Sequence, residues 1–123
     1  MKKLFSILLL TLLFVGISAQ KPQFTDFYNT VEVRTQDGSY VKKEQTMVNY
    51  NYDNKPYILI NSQTMSLPLK IVSETKYETI NGVKWQIVET VDVDNNHVIF
   101  AYGGKKLGCI IFFNDESISL RNE

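Results

Sequence analysis

The residue best placed to do chemistry is Glu89. It sits in Val83 to Val93, where Val83, Trp85, Ile87, Val91 and Val93 alternate with more polar neighbours. A strand with that alternation puts Glu89 on the apolar face. A carboxylate there must find a partner or take up a proton. Pairing with the flanking strands brings Ser73 and Tyr102 beside it, with Tyr77 and Trp85 farther along the same face. The expected site is therefore a polar anchor, Glu89, in a mostly apolar ligand pocket with Tyr102, Trp85, Ser73, Tyr77 and Tyr50. A bulge near Val88-Glu89 would instead turn Glu89 outward, and a place near a barrel mouth would let water reach it.

Other groups carry less chemistry. Tyr50, Tyr52, Tyr57, Tyr77, Tyr102 and Trp85 could contact a ligand through aromatic faces with polar tips, but residues of these types also favour strands. Asp92, Asp94 and Asn96 match the start of a calcium loop. The required glycine and glutamate are replaced by His97 and Gly103, so a tight turn accounts for them better. His97 is the only histidine, too few for a zinc cluster, and no metal is expected. Cys109, inside Leu107-Gly108-Cys109-Ile110-Ile111, reads as a small core residue. No base–nucleophile pair, second inner acid or phosphate-cradling glycine loop is evident, so neither an enzyme nor a cofactor is expected.

These residues need strands to hold them. Asn81-Gly82 divides Leu67 to Val93 into two arms. A three-residue loop, Ile80-Asn81-Gly82, pairs Tyr77 with Trp85, Thr75 with Ile87, Ser73 with Glu89 and Leu69 with Val93, which keeps the apolar faces together. A two-residue loop would set Glu78 against Trp85. Past Val93, an Asn95-Asn96 turn pairs Val91 with Phe100 and Glu89 with Tyr102. A turn at Gly103-Gly104-Lys105 pairs Phe100 with Cys109, and a turn at Asn114 to Ser117 pairs Ile111 with Leu120. Five strands then share one apolar face. Ile99, Ile110 and Phe112 form a second apolar face, which needs a cover from the Phe24/Phe27 segment or a partner.

The first half of the chain adds a strand at Thr30 to Gln36, a return at Ser39 to Tyr52, and Tyr57 to Asn61. A Gln36-Asp37-Gly38 loop pairs Val33 with Val41, and Tyr50 pairs with Leu59. Pro68 marks a strand start, bulge or unpaired site. Phe24, Phe27, Tyr28 and Val31 have helical spacing, so Gln20 to Tyr28 is either a short helix or an extended lead-in. The expected fold class is all-β: an antiparallel up-and-down meander of about eight strands, forming a small barrel or a strongly curved sheet.

In strand number and order the chain resembles the calycin superfamily, the lipocalin-like barrels. The resemblance implies a small cavity inside a barrel whose first strand closes on its last. The Gly-x-Trp of lipocalins is missing, since Trp85 is the only tryptophan. Thr25-Asp26-Phe27-Tyr28 resembles their Thr-Asp-Tyr motif but lies at the wrong end of the chain, so no ligand-binding residue carries over.

Lys2 and Lys3, the apolar run Leu4 to Val15 and the small-residue end Gly16-Ile17-Ser18-Ala19 read as a signal peptide, 1–19, and resemble the export signals of bacterial secreted proteins. The apolar run has 12 residues, short of the ~20 that span a bilayer. A single β domain, 20–123, is expected in a secreted or periplasmic setting. Without Lys2 and Lys3 it carries 11 basic and 13 acidic residues, which gives no basic field for nucleic acid. With one cysteine, it must hold without an internal disulfide.

Two functions follow as expectations. The first is an exported non-catalytic protein that binds a small apolar or amphipathic ligand on the inner face of a barrel. The second is a protein-interaction or inhibitor module using an exposed edge, such as Ser39 to Tyr52, or the Ile99/Ile110/Phe112 patch. The first needs a cavity inside the barrel. The second needs a filled interior with an exposed edge or patch.

Overall fold

The structure, a computed structural model, describes residues 23–52 and 55–123. The expected signal segment 1–19 lies outside them, as do Asp53 and Asn54. The described chain is all-β. Its strands are β1 (Phe24–Thr35), β2 (Gly38–Tyr50), β3 (Tyr57–Ser62), β4 (Ser66–Ile71), β5 (Lys76–Ile80), β6 (Val83–Val91), β7 (His97–Tyr102), β8 (Cys109–Phe112) and β9 (Glu116–Arg121). Each strand pairs antiparallel with its neighbours; β1 pairs with β9 and β4 with β6, closing an eight-strand barrel. The ninth strand, β5, pairs only with β6 among the described residues.

Of the ambiguous segment Gln20 to Tyr28, residues 20–22 lie outside the described residues, and Phe24 to Tyr28 is strand. The ladder with β2 slips between Tyr28 and Thr30, a bulge. Before it Asp26 and Tyr28 are buried, and after it Thr30 and Val31 are. A bulge swaps which alternate residues face inward. It thereby gives Phe24, Tyr28 and Val31 intervals of four and three, the spacing that mimics a helix. Phe24 turns into the barrel against the core, and Phe27 is 60% exposed, so neither covers Ile99, Ile110 and Phe112.

Two turns overturn the expected register of β6. Asn81 and Gly82 both have positive φ, 53° and 80°, and form a two-residue turn that pairs Ile80 with Val83. That turn matches strand twist better than a longer loop. It sets Glu78 against Trp85, which carries no penalty because every residue of β5 is exposed. At the other end of β6 the turn is not Asn95-Asn96 but Asp92 to Asn96, with Val91 paired to His97. The Asp92 carboxylate accepts the backbone N–H groups of Asp94 (2.9 Å) and Asn96 (2.8 Å), so a side chain organises the wider loop. The result is an odd shift, and an odd shift flips a strand. Val88 and Thr90 face the core; Trp85, Ile87, Glu89 and Val91 face out.

The same parity rule sorts the other strands. Phe100 pairs with Ile111, and Ile111 with Ile118. These are even shifts from the expected pairs, so the core faces of β7, β8 and β9 match expectation. Tyr50 pairs with Ile58 rather than Leu59, and Val33 with Tyr40 rather than Val41, both odd shifts. Pro68 lies within β4 opposite Leu59, where β4 has not yet met β6; that pairing begins at Lys70. Its missing N–H therefore costs no ladder bond.

The interior is filled by side chains. Tyr28, Phe100, Ile58, Ile60, Leu69, Ile111, Leu120, Val48, Val88 and Val98 are almost fully buried, the mark of a close-packed core. Gly108 (φ 84°) lets β8 approach β9, since a Cβ there would lie 1.8 Å from the Leu120 carbonyl oxygen.

Candidate functional site

Strand β6 is longer than the barrel needs. Its C-terminal end pairs with β4 at Thr90 and Val91, and its N-terminal half pairs with β5 along Val83 to Ile87. Between β4 and β5 the chain makes an irregular crossing. Val72 N–H donates to the Glu89 carbonyl (2.9 Å), and Glu89 N–H donates to Ser73 Oγ (2.9 Å). Ser73 thus meets the Glu89 backbone, not its carboxylate.

The Glu89 carboxylate points away from the barrel. Its side chain is 43% exposed, with His97 Nε2 at 3.1 Å and Lys76 Nζ at 4.0 Å. This corrects the expected inner anchor: the flipped register, with no bulge in the β6–β7 ladder, turns Glu89 out. Trp85 is corrected for the same reason. Its ring lies over Gly103 on the outside, so close that a Cβ on Gly103 would meet it at 2.8 Å. Tyr77 is 59% exposed on β5, with Lys84 Nζ 4.8 Å from its ring centre. Tyr50 and Tyr102 do face inward. The six expected residues therefore do not share one surface.

At the end of the barrel where Tyr50 and Tyr102 stand, Phe24 is held between their rings, at centroid distances of 5.0 and 4.8 Å. Tyr50 also stacks on Phe100 at 5.9 Å. Beneath lies an acid that is not among the expected site residues, Asp26. It is buried, and one of its oxygens accepts the hydroxyls of Tyr28 (2.9 Å) and Tyr102 (3.0 Å). The Cys109 thiol reaches the Tyr28 hydroxyl at 3.7 Å. Burial raises all three neighbours. The Cys109 thiol is pushed up to about 12, and Tyr102 also to about 12 with help from its bond to Asp26. Tyr28 rises further, by burial and then by Cys109 and Asp26. At neutral pH these groups are protonated hydrogen-bond donors rather than nucleophiles. Alternation of Phe24, Asp26 and Tyr28 was the available signal; the helical spacing of the same segment obscured it.

Above this cluster is an open cleft of about 360 Å³, lined by Tyr50, Ile71, Ser73, Thr75, Tyr77 and Gln86 among others. It brings together three of the six expected residues, Tyr50, Ser73 and Tyr77. Burial raises the Tyr50 hydroxyl above its ordinary value, and the nearby side chains of Thr75 and Gln86 offset part of that rise. Gln86 was missed because the expected register faced it away. Tyr102 borders a neighbouring cleft of about 230 Å³ with Tyr77, Lys84 and Gln86. At the opposite mouth, Val31, Val33, Met65 and Ile118 floor a third opening. There Glu44 is held down to about 2, chiefly by the hydroxyls of Ser62 and Thr64 and by Lys42.

Two outer surfaces remain. Ile99 pairs with Phe112 and Ala101 with Ile110 on the outside of β7 and β8, next to Ile87. The other surface is the ribbon of β5 with the first half of β6. In a two-residue hairpin the residues flanking the turn exchange both backbone bonds, and bonding alternates from there. Ile80, Glu78 and Lys76 thus direct their backbone groups to β6. Tyr77 and Thr79 direct theirs to the open side. Among the described residues no group of three or more His, Cys, Asp or Glu side chains is arranged to hold a metal. Comparison with protein-family models, curated proteins and solved structures finds no match, so the shape of the closed antiparallel barrel is the likeness that stands.

Proposed function

We propose that the protein is an exported, non-catalytic interaction module that captures an extended strand of another polypeptide along the open edge of β5. The observation that carries this reading is the ribbon itself. All five residues of β5 are exposed, so the strand adds nothing to the core, yet Asn81-Gly82 shapes it with a well-formed turn. Beyond the Gln86–Tyr102 pair the β5–β6 tip is only two strands wide, and such a tip is marginal alone and gains by adding a third strand. The packed interior counts in the same direction, because it leaves no room for a ligand swallowed by the barrel.

The test is Thr79→Pro. Proline there removes an outward N–H and no hairpin bond. Partners captured from the exported fraction of the source cells by the wild type are expected to be lost with Thr79→Pro, while far-UV circular dichroism and melting stay unchanged. Equal capture by both proteins would refute the reading.

The cleft at the mouth favours a second reading: a lipocalin-like protein holding a small amphipathic ligand across Tyr50, Ser73 and Tyr77 rather than inside the barrel. Native mass spectrometry of protein purified from its own source tests it, because a bound ligand adds a fixed mass that Tyr50→Ala removes.

A further inference from the structure

The open edge of β5 is short, exposed and charged, and charges on an edge usually block pairing. Here their spacing does the opposite in one register. The strand reads Lys76-Tyr77-Glu78-Thr79-Ile80. We infer that the partner of this edge is a second copy of the chain, paired antiparallel through β5 with the two-fold axis at Tyr77. This rests on the strand-capture reading above and names its partner.

Laid antiparallel about Tyr77, each Lys76 faces the second copy's Glu78, giving two opposite-charge pairs. The two Tyr77 residues face each other, and Thr79 faces the second copy's Thr75. The competing register about Glu78 sets two carboxylates against each other and Lys76 against Ile80, so charge selects the first. Backbone geometry agrees. Tyr77 and Thr79 point their N–H and C=O groups to the open side, so the Tyr77 pair exchanges both backbone bonds at the axis. Lys76 already has Glu89 at 4.0 Å on the same outer face, at the limit of an ion pair, and Glu78 gives it a second carboxylate. Tyr77 lies on the other face, with Lys84 over its ring, and lines the mouth cleft. Pairing therefore brings the second copy's Tyr77 to the rim of that cleft. Two five-residue strands make a small contact, so the pairing belongs to the weak, concentration-dependent class.

Directly opposed residues that exchange no backbone bonds are the closest pairs in an antiparallel ladder, and Lys76 with Glu78 is such a pair. Single variants Lys76→Cys and Glu78→Cys are made and oxidised separately and as a mixture. The native Cys109 is buried and does not interfere. A disulfide-linked dimer is expected in the mixture and in neither protein alone. In sedimentation, Lys76→Glu is expected to weaken wild-type association about tenfold, and Lys76→Glu with Glu78→Lys to restore it. No link in the mixture, or a link with Glu78→Cys alone, overturns the register and the inference. If the mixture gives no link while Thr79→Pro still abolishes capture of another protein, self-pairing falls and strand capture stands. If Thr79→Pro changes neither capture nor linkage, both fall.

Discussion

Raising the pH from 8 to 10.5 should destabilise this barrel through the groups buried around Asp26. Cys109, Tyr28 and Tyr102 are neutral in the fold, and each holds its proton more tightly there than in the unfolded chain, where the ordinary values are 9.0 and 10.0. A folded pKa raised above the unfolded one gives stability that is complete below the unfolded value. That stability is lost as the pH rises toward the folded value. The loss begins near pH 9 with the thiol and steepens above pH 10 with the two phenols. At pH 10.5 the thiol accounts for about 2 kcal/mol and each tyrosine for just under ~1 kcal/mol. Tyr102 is only partly buried, so solvent trims its share, and the total is about 3 kcal/mol. For a domain whose whole stability is of order 5–15 kcal/mol, that is a large fraction. Urea midpoints followed by far-UV circular dichroism at half-unit pH steps measure it. Cys109→Ala should flatten the curve between pH 9 and 10, and Tyr28→Phe should flatten it above 10. A wild-type midpoint unchanged from pH 8 to 10.5 would refute the reasoning, as would variants that keep the full wild-type slope.

Gly108→Ala should leave no folded protein at 37 °C, because the new Cβ would meet the Leu120 carbonyl at 1.8 Å with φ at 84°; a soluble variant with a native spectrum would contradict the close approach. Phe100→Ala removes a ring that is 1% exposed and stacked on Tyr50, and should lower stability by about 3–5 kcal/mol in denaturant titration. Glu89→Gln should change stability by less than about 1 kcal/mol, since its partners His97 and Lys76 are exposed. A loss of more than about 2 kcal/mol at Glu89 would instead mark a buried anchor.

Much of the fold was legible in the residues. Val98 and Phe100, Cys109 and Ile111, and Ile118 and Leu120 alternate cleanly, and all six are buried. Their turns were misjudged in length, but by even numbers, which leaves the faces alone. The site was less legible. Asn81-Gly82 and Asp92 to Asn96 each moved β6 by an odd count, so Glu89 and Trp85 exchanged sides with Val88 and Gln86. Turn chemistry decided this against face matching. The uncovered ribbon has no buried face to match, and the Asp92 carboxylate stabilises a loop that alternation does not reveal. Asp26 was hidden for a related reason. The bulge after Tyr28 broke the period of two in the one segment where a helix also fitted.

What the sequence determined by itself was the class: antiparallel strands in chain order, joined by short turns. Period-two alternation and turn residues are local properties, and they persist whatever the strands pack against. Only the tertiary structure decided which side of β6 faces the core, that β5 leaves the barrel as a ribbon, and that Asp26 rather than Glu89 is the buried acid. Those outcomes depend on loop lengths counted odd or even around a closed ring, where a single residue turns a whole strand over.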